Sequence, residues 1–223
     1  FRMRNDRRDC DYSRNFRGRP GIKNALAWIS HLRTAMKSAD SVTPSRRQAL
    51  LAGRNIHSLR QALALVERID DRAYRETPPG FAPHRAGAHL RHILEFFECF
   101  LDGIESGRID YDARRRDLSV ETSRPAAIAK IRTILASLEN RLPAEDRTIR
   151  VRVEDSYGSP LDDPYLTSSA GRELQVLCSH TIHHFALIAM TLTAHGIPVD
   201  REFGMAPSTL RYLNQRTSGA EAA

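Results

Sequence analysis

Apolar residues recur every three to four positions along most of the chain, the spacing that gathers them on one face of a helix. Ile22, Ala25, Ile29, Leu32 and Met36 predict a first amphipathic helix over 22–38, and Ser41 to Ser45, with Pro44, break it. Leu51, Leu59, Leu63, Val66 and Ile69 form one stripe over about 46–71. A turn-rich segment from Asp70 to Pro83, containing Pro78-Pro79-Gly80, ends it. A third helix is expected over 84–106, with Ile93, Phe96, Phe97, Phe100 and Leu101 on its apolar side and Gly107 at its end. The polar run from Asp110 to Asp117 then reads as a connection.

A fourth helix is predicted over 123–142. Ser123 precedes Pro125, the favoured order of cap and first-turn proline. Ile128, Ile131, Leu135, Leu138 and Leu142 form its stripe, and Pro143 stops it. Thr148 to Glu154 alternate instead, with Ile149, Val151 and Val153 on one side, which predicts a short strand or extended segment before a loop over 155–163. The last long helix is expected over 168–195, opening at Ser168 and Ser169 and stopped by Gly196 and Pro198. A short helix around 207–216 follows. Burying four such stripes together is simplest in an antiparallel bundle, so the fold class is all-α. Three divisions are expected: a basic solvated tail over 1–21, one helical domain over 22–216 and a flexible end over 217–223.

Composition narrows the picture. A chain of 223 residues with 41% hydrophobic positions can bury a core without staples. No uninterrupted apolar run reaches the roughly 18 residues of a membrane-spanning helix, so no membrane partner is expected. Three cysteines do not make a disulfide framework, and the odd count points to a reducing, cytoplasmic setting. The net charge of +7 is uneven: residues 1–20 hold seven arginines against three aspartates, which is +4 of the total. The rest of the chain is close to neutral, so nucleic acid is an unfavoured partner, and any such role would fall to the tail.

The histidines carry the chemistry. Of nine, six lie in two groups, His84, His89 and His92 on the third helix and His180, His183 and His184 on the last. Residues three and four apart share a helix face, so His89 with His92, and His180 with either His183 or His184, present paired imidazoles. Two such helices facing one bundle interior can supply a three-nitrogen metal site with a position left for water or substrate. Spacing alone also allows hydrogen-bonded core histidines or acid–base work without metal. Several other sites are excluded. The chain has no His-Glu-x-x-His, no Glu-x-x-His, no His-Asp and no Cys-x-x-Cys, and neither a P-loop nor Gly-x-Gly-x-x-Gly.

The stretch Gly87-Ala88-His89-Leu90-Arg91-His92-Ile93-Leu94-Glu95-Phe96-Phe97-Glu98 resembles the second-helix motif of the DinB-like (YfiT-like) superfamily, and Ser179-His180-Thr181-Ile182-His183-His184 resembles its later His-x-x-x-His motif. Tyr111-Asp112-Ala113-Arg114-Arg115-Arg116-Asp117 and Phe203-Gly204-Met205-Ala206-Pro207-Ser208-Thr209-Leu210 are similar to segments of bacterial members, so the resemblance covers about 45–215. It implies a four-helix bundle, often a homodimer, here with an extra N-terminal helix and the short extended segment. It also implies one divalent metal ion (zinc, nickel, iron or manganese) held by three histidines. Carried over by position, the ligands are His92, His180 and His184. His89 competes with His92 for the first place, and His183 is the lesser competitor of the second helix. The Arg-Gly-Gln that follows the last histidine in many members is replaced by Phe185-Ala186-Leu187, which removes the expected substrate contacts from that turn.

Characterised members include thiol transferases using low-molecular-weight thiols, a thiol-dependent isomerase and the iron-binding helical domain of sulfoxide synthases, whose second domain has no counterpart in these residues. The resemblance therefore implies a metal-dependent enzyme activating a thiol or water, of transferase or hydrolase type, with a small-molecule substrate. The alternative is a non-enzymatic metal-binding bundle with a stress-related or regulatory role. Glu173, two helical turns before His180, is the candidate base or orienting carboxylate, or else a helix-start carboxylate. Tyr111, Arg114 and Arg116 are candidates for binding an anionic substrate, against the reading of a solvated charged loop. Cys99 and Cys178 read first as structural thiols.

Overall fold

The structure, a computed structural model, describes residues 44–80, 84–152 and 163–220. The expected tail over 1–21, the helix over 22–38, most of the loop over 155–163 and the last three residues lie outside this range. Among the described residues, four long helices form the bundle: α1 (Pro44–Arg68), α3 (Ala86–Ser106), α5 (Arg124–Asn140) and α6 (Ala170–Ala194). Two short helices, α2 (Asp71–Arg75) and α4 (Leu118–Thr122), fill connections, and α7 (Pro207–Ala220) closes the described chain, beyond the 207–216 expected. α1 packs on α5 and α6, and α3 packs on the same two, so α1 and α3 sit diagonally across the bundle. The predicted stripes meet at its centre, where Leu59, Ile93, Phe97, Phe100, Ile131, Leu174, Leu177 and Phe185 are buried.

α6 deserves its place by composition as well as by packing. Over 25 residues it is apolar enough to match a membrane span by length and hydropathy. Its buried positions, among them Leu174, Leu177, Phe185, Ile188 and Leu192, lie where it packs on α1 and α3.

The structure corrects the expected elements in three places. The helix expected over 46–71 ends at Arg68, because Asp70 turns its carboxylate onto the backbone N–H of Ala73 at 2.7 Å and starts α2. α2 is anchored by Tyr74, a buried side chain whose hydroxyl donates to the carbonyl of Val120. The stretch before Ser123 is likewise not all connection: Asp117 caps α4 by accepting from the N–H of Ser119 at 3.0 Å. Finally, the lone extended segment is the middle of a sheet. β1 (Arg108–Ile109) pairs in parallel with β2 (Thr148–Arg152), and β2 pairs antiparallel with β3 (Tyr165–Ser169). The register sets Ile149 opposite Ser168 and Thr148 opposite Ser169. A single short strand has no partners for its backbone groups, so it needs neighbours to exist. Ser168 and Ser169 therefore belong to β3, and α6 begins at Ala170 with Ser169 as its cap, accepting from the N–H of Arg172 at 3.2 Å.

Two glycines fix how the connections lie on α3. A Cβ at Gly87 would stand 2.1 Å from the carbonyl oxygen of Glu121 and 2.8 Å from the ring of Tyr74, so α2 and α4 dock against a position with no side chain. Gly107 ends α3 at φ 75°, the left-handed conformation that glycine adopts without strain, and lets the chain turn into β1. That turn brings the segment 110–117 back over the α3–α6 seam, where the histidines are.

Candidate metal centre

α3 and α6 face each other along the seam, and each contributes imidazoles one turn apart. The structure places one ring nitrogen each of His92, His180 and His184 within 4.8 Å of the other two, and all three side chains are half-buried. His180 Nε2 lies 3.1 Å from His92 Nε2 and 3.1 Å from His184 Nε2. Two nitrogens bound to one ion at about 2.0–2.1 Å stand roughly 2.9–3.4 Å apart in tetrahedral to octahedral arrangements, so these separations fit shared coordination. Hydrogen bonding alone does not satisfy the group. His180 Nε2 has either one proton or one lone pair to offer, and it faces two ring nitrogens at once. A cation between them would satisfy all three lone pairs.

The electrostatics favour that donor set. From an ordinary value of 6.5, burial first, with the Arg114 and Arg91 guanidiniums behind it, pushes His92 down to about 4. Burial and then the neighbouring His92 push His180 down to about 4. Burial and the other histidines push His184 down to about 3. All three are therefore neutral at pH 7, with free lone pairs, which is the form a metal ion requires.

His89 and His183 take different places. His89 Nδ1 lies 3.1 Å from His184 Nδ1, on the side of that ring away from the cluster, and its own Nε2 lies 3.2 Å from Nδ1 of exposed His84. His183 is exposed and meets His184 only edge to face, with ring centroids 5.0 Å apart.

Phe96, one turn after His92, is the hub of the surroundings. Its ring stacks on His180 with centroids 4.1 Å apart, on Tyr111 at 4.9 Å, and under the Arg114 guanidinium at 4.8 Å. Tyr111 donates its hydroxyl to Glu173 Oε2 at 2.8 Å, and Ser168 donates to Glu173 Oε1 at 2.6 Å. Burial, followed by the charge of Glu173, raises the Tyr111 phenol well above its ordinary range. Glu173 is thus joined to the sheet and to the 110–117 loop, and no hydrogen bond links it to a histidine among the described residues. Arg114, whose side chain is 16% exposed, also donates to the carbonyl of Tyr111 and has Asp112 at 4.0 Å. Arg116, by contrast, is exposed at φ 52°, and no hydrogen bond, ion pair or ring contact joins it to the cluster. Cys99 stays a thiol, burial pushing it up to about 11, and Cys178 lines a cleft of about 350 Å³ between α1, α6 and the start of α7.

Sequence reasoning missed two features of the site. Phe96 reads only as one more apolar position, although its spacing of four from His92 placed it one turn along the same face. A buried charged group also braces α3 behind His92: Glu121 meets Arg85 at 2.6 Å and Arg91 at 3.3 Å, and Glu95 accepts the N–H of Asp117 at 2.7 Å. Arg91 and Glu95 are four apart, which signals a helix pair, but nothing in the sequence marks Glu121 as the partner of Arg85 and Arg91.

A family model described as the DinB superfamily matches residues 56–188, more than half of the chain. The chain belongs to the DinB superfamily. The matched DinB region contains the three clustered histidines, all of α3 and α5 and the greater part of α6, so the centre lies within it. Among curated proteins, FK506-binding protein 5 of Rhizopus delemar is 32% identical over 108 residues, 48% of this chain and 28% of that protein. The chain therefore spans less than a third of that relative's length. No solved structure matches it. DinB membership together with the three-histidine cluster fits a metal-binding DinB protein.

Proposed function

We propose that this DinB protein holds one divalent ion through His92, His180 and His184 and works as a metal-dependent enzyme on a small thiol or on water, of transferase or hydrolase type. One observation supports the reading: His180 Nε2 faces two other imidazole nitrogens at 3.1 Å, and a cation among them would serve all three lone pairs at once. An ion held there by neutral ligands alone keeps its charge and lowers the pKa of a thiol or water that joins it. Zinc, nickel, iron(II) and manganese all accept imidazole, and availability selects among them.

The protein's own side chains supply the rest. Arg114 sits beside the cluster with its guanidinium close enough to depress both His92 and His180, so it favours a substrate bearing a carboxylate or other anionic group. Phe96 gives that guanidinium a flat seat. Tyr111 and Ser168 are both committed to Glu173, so this trio holds the 110–117 loop in place over the seam.

The test is the metal content of untagged protein, for wild type and for His184→Ala. About one equivalent per chain in wild type, lost in the variant, is the expected result. A cobalt-loaded sample whose visible spectrum changes on adding a small thiol would then show that the site admits one. Wild-type protein that stays empty after incubation with each of the four metals overturns the reading.

A further inference from the structure

Of the three clustered rings, His184 is the one whose outer nitrogen has a hydrogen-bond partner among the described residues. His180 Nδ1 is buried and has none. The partner is unusual, because ligand imidazoles are commonly steadied by a carboxylate, a carbonyl or water. Here it is another histidine, His89, with a third behind it. The three contacts form one file: His184 Nε2 at the cluster, His184 Nδ1 against His89 Nδ1 at 3.1 Å, and His89 Nε2 against His84 Nδ1 at 3.2 Å, with His84 exposed. The rings of His84 and His89 are within 10° of parallel with centroids 5.3 Å apart, so they lie side by side as an in-plane N–H···N contact requires.

The file has only one arrangement of protons compatible with a ligand at its inner end. A neutral imidazole carries one N–H and one lone pair. With the Nε2 lone pair of His184 turned to the cluster, its proton sits on Nδ1 and is donated to His89 Nδ1. His89 must then accept there and carry its proton on Nε2, from which it donates to His84 Nδ1. His84 in turn presents its own N–H to solvent. The opposite set of tautomers would put a proton on His184 Nε2 and block the cluster.

We propose that His89, backed by His84, is a positioning residue that fixes the tautomer and ring orientation of His184 and so sets how tightly the centre holds its ion. This assigns His89 a role distinct from ligation. It rests on the metal site proposed above.

The experiment measures zinc affinity by competition with a chromophoric chelator, and the visible spectrum of the cobalt-loaded protein, for wild type, His89→Phe, His89→Gln and His84→Ala. His89→Phe keeps a flat ring but removes the acceptor, and should weaken zinc binding by about 10–100-fold. It should also alter the cobalt bands while leaving one equivalent bound at saturating metal. His89→Gln, whose amide oxygen can still accept from His184 Nδ1, should recover most of the affinity. His84→Ala should cost only a few-fold. Equal affinities in wild type and His89→Phe overturn the proposal, and so does a loss in His89→Phe that His89→Gln does not recover. Complete loss of the bound equivalent in both His89 variants, as for His184→Ala, makes His89 a ligand and overturns it too. If His89→Phe does not fold, the His89→Gln and His84→Ala affinities decide: a loss of tenfold or more in His89→Gln overturns the proposal, and retained affinity with a few-fold loss in His84→Ala supports it. Failure of the parent reading looks different, since the wild type then binds no metal at all.

Discussion

Phe96 lies against the ring of His180, with centroids 4.1 Å apart and planes inclined by 30°. The contact ties a residue of α3 to a histidine of α6, and the same phenyl ring carries Tyr111 and the Arg114 guanidinium. Packing therefore sets the orientation of His180, whose buried Nδ1 has no hydrogen-bond partner among the described residues. Phe96→Ala should loosen that ring and lose its aromatic contacts. The expected cost is about 1–3 kcal/mol of stability, below that of a fully buried phenylalanine because Phe96 is half-buried. Urea midpoints measure the stability loss, and chelator competition should show weaker metal binding. Unchanged metal affinity would mean that Phe96 packs without orienting.

Tyr111→Phe removes one of the two hydroxyl donors of a buried carboxylate. Hydrogen bonds to a charged group are worth about 1.5–3 kcal/mol, so a loss of that size is expected. Glu173→Gln should be milder, because the amide can still accept from one hydroxyl. If Glu173 acts as a base rather than as a brace, Glu173→Gln would instead abolish activity while leaving the urea midpoint in place.

Gly87→Ala should destabilise the fold by about 1–3 kcal/mol, because the new methyl group meets the backbone of Glu121 and the buried ring of Tyr74. The cost should appear in thermal melting without any change in metal stoichiometry at low temperature. A neutral melting temperature would show that α4 shifts aside freely.

In the metal-free protein, acid should act through the clustered histidines. Their pKa values fall from about 6.5 in the unfolded chain to about 4 for His92 and His180 and about 3 for His184. Below pH 6.5 the unfolded chain thus binds protons that the folded one refuses, and stability falls as pH drops toward 4. Above pH 7 both states are neutral there and the effect vanishes. Urea midpoints for wild type and His184→Gln at pH 7.5 and 4.5 should converge at the lower pH. Parallel acid losses in the two proteins would count against the shift.

The four long helices were legible because each carries an apolar stripe bounded by ordinary start or stop signals, such as Ser123 with Pro125 at the start of α5 and Gly107 at the end of α3. The short elements were not. β1 has two residues, and β3 presents Leu166 and Thr167 to solvent, so no alternation of burial betrays it. α2 hides in a stretch whose prolines and glycine signal turns, and it depends on Tyr74 reaching Val120, a contact no local pattern encodes. Helical spacing put His89 with His92, and His180 with His183 or His184, on shared faces but ranked none of them. Residues 89 and 92 share a face, and only the depth at which α3 meets α6 separates a ring beside His180 from one beside the far side of His184. Arg114 and Arg116 looked equivalent in sequence. The backbone at Arg116, at positive φ, leaves that side chain exposed, while Arg114 folds over Phe96.

β3 passes into α6 with no residue between them, Ser169 closing the strand and Ala170 opening the helix. The strand pairing consequently acts as an indexing key for the helix. Were β3 to slip by one residue along β2, α6 would enter the bundle turned by about 100°, and His180 and His184 would swing off the seam together. Five paired residues of an outer strand thus guard the aim of two imidazoles several turns away. A folding error there would leave a helical protein that looks intact by its circular dichroism and is blind to metal.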